Sequence, residues 1–405
     1  MSMQAEDQRG RTTRLALGFT NYISLGMVGA VLGVAWPSVR DTFQAPLDAM
    51  GILLTASTIG FLLTSFNSGR IMDRVGPGRF LLLGNALHMM GAVVLALAPS
   101  WWTVVLASAI SGIGSGCVDS GLNTYVAAHY QPSRMNWLHA FFGLGSTLGP
   151  PLVTVILAEG LSWRWSYGTL SILPMGLAVY FLVTAKSWRL DTGEEEAQGG
   201  AKRRASNRET LKLLPTWMGI GLFFVFVGVE LTAGQWSFTL LTEGRGLLVS
   251  SAGLWVSIYW GSLTVGRIVL GFVVDHVEAT PMLRLTMIGA AIGAALLWWN
   301  PAEAASLAGL GLMGFSLASI FPVMISVTPE RVGKEHAANA IGFQVASGGI
   351  GSALPPALAG VLARAYGLES IGLFLVIGSI LMVALHEATL PRKGKDKRKQ
   401  EAIAG

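Results

Sequence analysis

Two carboxylates stand where the surrounding residues are too apolar to leave a charge unattended. Asp119 lies in Gly112–Tyr125, GIGSGCVDSGLNTY, within a run that starts at Trp101-Trp102 and carries no other formal charge until Arg134. On a helix it would sit roughly 27 Å from Trp101 and roughly 15 Å from His129, well inside the ~30 Å of hydrocarbon in a bilayer. An acid at that depth is expensive, normally faces a cavity or a partner, and marks a path for solute, ion or proton. Asn123 follows by four residues and therefore shares its helix face. The second acid, Glu230, comes after Leu222–Val229, with only Thr232 and Gln235 as polar neighbours in the next turn. It can serve as coupling acid, solute acceptor or cation ligand. A hydroxylated solute is matched by such a set, with carboxylates and amides for its OH groups and indole faces for its C–H surface. On that chemistry Asn21, Trp36, Gln235 and Trp236 join Asn123 and Glu230 as candidate solute contacts. His139 can relay a proton from Asp119 or bind solute. Gln344, its counterpart later in the chain, is a solute contact or a bond between helices.

These residues need membrane-spanning helices to hold them. The 405 residues are 52% hydrophobic and 13% charged, against about 25% charged in soluble chains. Apolar runs near 20 residues recur along the whole length, the signature of a polytopic helical membrane protein. Twelve spans are expected at 14–39, 47–71, 79–98, 102–128, 136–160, 165–185, 214–242, 249–273, 283–299, 303–328, 337–363 and 368–388. They divide into a six-helix half, 1–185, and a second, 213–390. A polar linker, 186–212, containing EEEAQGGAKRR joins them, and 391–405 is a basic tail. With the N-terminus in the cytoplasm, only Arg40, Arg164, Arg245 and Arg364 of the 28 lysines and arginines fall on the outer side. That asymmetry places both termini inside. The first apolar run is long enough to span, and no cleavable signal precedes it. The net charge of +5 is spread over loops and gives no nucleic-acid footprint. The single cysteine, Cys117, excludes an intrachain disulfide.

The halves also read as repeats. Trp36 pairs with Trp236, Asp73 with Asp275, and Pro150-Pro151 with Pro355-Pro356, in one order and about 200 residues apart. Two parallel six-span repeats with a midplane site between them form a secondary-transporter architecture. The loop GRIMDRVGPGR, residues 69–79, resembles the motif between the second and third spans of the major facilitator superfamily: Gly69, Asp73, Arg74, Gly76 and Arg79 match in type and spacing. The resemblance implies an all-α fold of twelve transmembrane helices and a gating latch at this loop. It also implies a cavity lined by the first, fourth, seventh and tenth spans. Gly114, Gly116, Asp119 and Asn123 resemble the fourth-span motif of fucose permease-like sugar symporters, and LHAFFGLGSTLGP at 138–150 their fifth-span run. FVGVELTAGQW at 226–236 is similar to the seventh span of sodium-dependent glucose transporter-like members. Thr124 stands where fucose permeases usually carry proline, a departure that bears on the exact sugar.

The expectation is an alternating-access symporter of a sugar or similar polar solute, coupled to a cation. Asp119, Glu230 and His139 are the coupling candidates, and H+ is favoured over Na+. No GxxxxGK[ST], HExxH or clustered CxxC occurs, so neither an enzyme nor a bound cofactor or metal is expected. The partners expected are a small-molecule solute and membrane lipid but no nucleic acid, for a monomer in the inner (plasma) membrane. Two rival readings are a proton-antiport exporter of amphipathic compounds and a solute-sensing receptor that transports nothing.

Overall fold

The computed structural model describes residues 2–188, 205–273 and 276–390. The middle of the linker, Asp275 and the basic tail lie outside them. Among the described residues, twelve helices are long and apolar enough to cross a membrane. They are α1 Gly10–Phe43, α2 Leu47–Val75, α3 Pro77–Leu97, α4 Trp101–His129, α5 Trp137–Ala158, α6 Trp163–Ser187, α7 Leu214–Gly244, α8 Val249–Val273, α9 Ala279–Trp299, α10 Glu303–Val332, α11 Lys334–Tyr366 and α12 Ser370–Thr389. Each coincides with one expected span, and several run a few residues further because the helix continues past the apolar core. The chain is an all-α, multi-pass membrane protein.

Three spans are interrupted, each just ahead of a proline. Breaks fall at Ser171 before Pro174 in α6, between Leu317 and Ile320 before Pro322 in α10, and between Gly351 and Leu354 before Pro355 in α11. Proline removes the N–H that would bond four residues back, so the helix loosens there. The matching pair Pro150-Pro151 instead lies inside one unbroken helix of α5. The two repeats therefore differ at this point.

Glycine governs how α4 is seated. A methyl group on Gly112 would collide with the Ser57 carbonyl of α2, and one on Gly114 with the His88 backbone of α3. Small residues at such crossings let helix backbones touch. Pressed between α2 and α3, α4 is held against rotation, which fixes the heading of Asp119. Gly112→Ala is expected to cost about 1–2 kcal/mol by overpacking. The measurement is thermal unfolding in detergent, with Gly271→Ala as control, because Gly271 has nothing within 4 Å.

Within α1–α6 the chief packing partners are α1 with α5, α2 and α3 with α4, and α3 with α6. Within α7–α12 they are α7 with α11 and α12, α8 with α10, and α9 with α10 and α12. The two sets meet along α5–α8, α1–α7 and α2–α11. Their polar contacts gather toward one end. Arg40 pairs with Glu243 at 2.9 Å and Arg364 with Asp48 at 3.0 Å. Below them Gln235 Nε2 donates to the Gly29 carbonyl at 3.0 Å, and Thr58 meets Ser352 at 3.3 Å. Toward the opposite end, Phe66 of α2 and Phe272 of α8 are exposed. The bundle is closed at the Arg40 end; toward the other, here called the parted end, the polar contacts between the halves run on through Thr147–Thr264 as far as Arg267–His139.

Candidate functional site

On α4, Ser111, Ser115, Asp119 and Asn123 recur every four residues and form one polar stripe. His88 of α3 covers its upper part, with Nδ1 3.3 Å from Ser111 Oγ and 3.2 Å from Ser115 Oγ. Lower down, the buried Tyr22 of α1 donates its hydroxyl to Asp119 Oδ1 at 2.9 Å. Asn123 is hydrogen-bonded to the same carboxyl. Asp119 itself is half-buried.

The constellation continues across the gap between halves. The Tyr22 ring meets His139 of α5 edge-on, with centroids 5.4 Å apart, and His139 is exposed to the parted side. Arg267 of α8 reaches the His139 carbonyl with Nη1 at 3.5 Å and Glu230 Oε1 of α7 with Nη2 at 3.7 Å. Glu230 is buried, and its backbone carbonyl accepts a hydrogen bond from Tyr259 Oη at 2.8 Å. The series Asp119–Tyr22–His139–Arg267–Glu230 thus draws on five helices and crosses between the halves where they begin to separate.

Asp119, Asn123, His139 and Glu230 are brought together in this way. Other candidates are placed elsewhere. Asn21 is fully buried against α3: its amide donates to the Leu17 carbonyl, and its Oδ1 accepts from Asn85 Nδ2 at 2.8 Å. Trp36 lies in the closed end, 6.1 Å from the Trp101 ring. Trp236 is also buried and donates Nε1 to the Pro356 carbonyl at 2.8 Å. Gln235 makes the bond to Gly29 already described, so it joins the halves at the closed end. Gln344 accepts from Thr328 Oγ1 at 3.0 Å, a bond between α11 and α10. In the loop motif Gly76 takes φ +81° and ends α2, a backbone shape that favours glycine. Gly69, Asp73, Arg74 and Arg79 are exposed beside it.

Two residues of the constellation escape a reading of the sequence. Tyr22 follows Asn21 directly and so faces about 100° away from it; attention to the amide hides the phenol. Arg267 reads as a charge at the end of a span, where it would need no partner. It lies six residues, about 9 Å, inside the end of α8, and its long stem carries the guanidinium to Glu230. A cation does therefore face the second acid.

Chemically, this arrangement offers one carboxylate beside neutral donors and one beside a guanidinium, with a phenol, an amide and an accessible imidazole between them. It can bind hydroxyl groups and can take up and release a proton or small cation. The profile of the Major Facilitator Superfamily matches residues 17–310 and 218–405. The chain belongs to that superfamily. It is thus a membrane carrier, not an enzyme. Among superfamily relatives, the Protein TsgA homolog of Serratia proteamaculans (strain 568) is 23% identical over 85% of this chain and 87% of its own length. Sodium-dependent glucose transporter 1A of Mus musculus is 24% identical over 94% and 98%. The glucose/mannose transporter GlcP of Bacillus subtilis (strain 168) is 21% identical over 90% and 92%. The superfamily fold is seen again in solved structures. A bacterial homologue of the human lysosomal transporter Spinster superposes with a TM-score of 0.73 at 14% identity, covering 94% of this chain and 96% of its own. FucP superposes with a TM-score of 0.64 at 14% identity, covering 94% and 99%.

Proposed function

We propose that this superfamily member is a proton-coupled symporter of a sugar or similar polyhydroxylated solute, with Asp119 as the coupling acid. One observation carries the reading: among the described residues Glu230 faces a guanidinium, whereas Asp119 faces only the neutral donors Tyr22 and Asn123. An uncompensated carboxylate cannot be carried through a closing cavity at tolerable cost. It must first take up a proton or a small cation. Solute hydroxyls would bond Asn123 and His139 from one half and the Glu230–Arg267 pair from the other, leaving Asp119 to the proton. Relatives named as glucose and glucose/mannose transporters support a hexose-like solute. The test is solute-driven pH change in proteoliposomes across a hexose panel, with and without sodium. Proton uptake with a hexose supports the reading. Flux that requires sodium overturns the choice of ion, and silence toward every sugar overturns the solute class.

Among the described residues, Arg70, Arg74, Arg79, Arg284, Arg331 and Lys334 belong to the end opposite Arg40, which by the positive-inside rule faces the cytoplasm in this reading. In this reading the protein sits in the inner (plasma) membrane as a monomer with both termini inside, its cavity open inward. The pairs Arg40–Glu243 and Arg364–Asp48 then form the outer latch. Partly exposed pairs are worth at most about 1 kcal/mol each. Arg40→Gln is accordingly expected to shift the equilibrium toward the outward-open state by no more than about fivefold. Spin labels on Gln44→Cys and Leu248→Cys in a Cys117→Ser background read this as growth of the longer-distance population. An unchanged distribution would remove this pair from the latch.

A further inference from the structure

A groove of about 950 Å³ opens sideways between the halves at the closed end, away from the polar site. Ile52, Ala56 and Ile59 of α2 form one wall, Leu358 and Val361 of α11 and Ile377 of α12 the other, with α7 at the back. Its lining is apolar, apart from Asp48 at the mouth and Thr55. From Asp48 to Ile59 it follows α2 for about 16 Å, close to half of the ~30 Å hydrocarbon thickness. The depth therefore matches a single leaflet. At the mouth, Arg364 Nη1 holds Asp48 Oδ1 at 3.0 Å, yet the arginine side chain remains 60% exposed. Most of its five donors are unspent, and guanidinium donors suit phosphate oxygens.

From the leaflet-length apolar walls and the largely exposed guanidinium at their mouth, we infer that this groove is a phospholipid site: one acyl chain lies in the groove and the phosphodiester binds the Arg364 donors that Asp48 does not use. Because α2 belongs to one half and α7, α11 and α12 to the other, the bound lipid bridges elements that must part when this end opens. It favours the closed end by contact with both walls. A neighbouring pair supports the geometry, since Gly51 and Ala357 bring the α2 and α11 backbones together at the groove's edge.

The test is native mass spectrometry of the purified full chain, titrated with palmitoyl-oleoyl phosphatidylglycerol and with diacylglycerol of the same chains. One saturable phosphatidylglycerol adduct is expected, with diacylglycerol at least tenfold weaker. Ala56→Trp and Leu358→Trp fill the groove and should each weaken the adduct at least tenfold. Arg364→Gln should weaken phosphatidylglycerol several-fold and leave diacylglycerol unchanged. Val179→Trp, on the exposed face of α6, should bind as the parent does, and thermal unfolding identifies any variant that is misfolded. Undiminished binding in both folded groove-filling variants would overturn the site. So would equal loss in Val179→Trp, which would mean unselective annular lipid. Equal affinity for the two lipids would overturn the phosphate contact at Arg364.

Discussion

Asp119→Asn is expected to abolish solute-driven proton uptake, lowering accumulation against a gradient by about 100-fold while leaving solute exchange nearly intact. Asparagine keeps the size of the side chain and an oxygen able to accept the Tyr22 hydroxyl, now 2.9 Å away. Only the capacity to exchange a proton is lost. Coupling between two sites is commonly worth 5- to 150-fold, and it is reciprocal: a proton that improves solute binding is itself bound more tightly when solute is present. Removing one partner removes both effects. The measurement pairs concentrative uptake with counterflow, since counterflow needs the cavity and the cycle but no ion gradient. Tyr22→Phe serves as the companion variant. It deletes one hydrogen bond to the carboxyl, a loss of roughly 1.5 kcal/mol or more, and should alter the apparent proton affinity about tenfold without ending transport. If Asp119→Asn also ends counterflow, the carboxylate binds solute directly and the division of roles above is wrong.

The sequence carried the scaffold because hydrophobic length is a one-dimensional property. Each of the twelve spans is an apolar run bounded by polar residues, and no packing decision is needed to see it. Asp119 was visible for the same reason: a charge in a glycine-rich apolar run is conspicuous whatever it touches. Rotation about a helix axis is harder to read, because it is set by neighbours distant in sequence. Asn21 looked like a cavity residue, yet its amide is spent on Asn85 of α3, and the adjacent Tyr22 points to Asp119 instead. Nothing within α1 alone distinguishes those two outcomes. Trp36 and Trp236 face the same difficulty. Their bulk suits a sugar ring, but it equally suits the plug of a closed end, and both are fully buried there. The loop glycines were legible in a different way, since Gly76 meets a local backbone demand that no distant residue alters.

Arg267 supplies the sharpest remaining test, because two readings of Glu230 diverge on it. If Glu230 is chiefly the partner of Arg267, removing the guanidinium strands a buried carboxylate. Breaking a buried pair costs about 3–5 kcal/mol, and the low end applies because the Arg267 side chain keeps 23% exposure. Arg267→Gln should therefore destabilise the protein by about 3 kcal/mol, read as earlier thermal unfolding in detergent. Glu230→Gln should cost less, since Arg267 lies near the parted end and can turn its guanidinium toward water. The double variant Arg267→Gln, Glu230→Gln should recover most of the loss, giving a coupling energy within the 0.5–3 kcal/mol range typical of residues in contact. Proton coupling should survive in the double variant with Asp119 intact. If Glu230→Gln alone ends proton uptake at full stability, then Glu230 is the coupling acid and the arginine tunes it. In that case the two halves exchange roles: the fourth-span carboxylate becomes the solute acceptor, held in place by Tyr22.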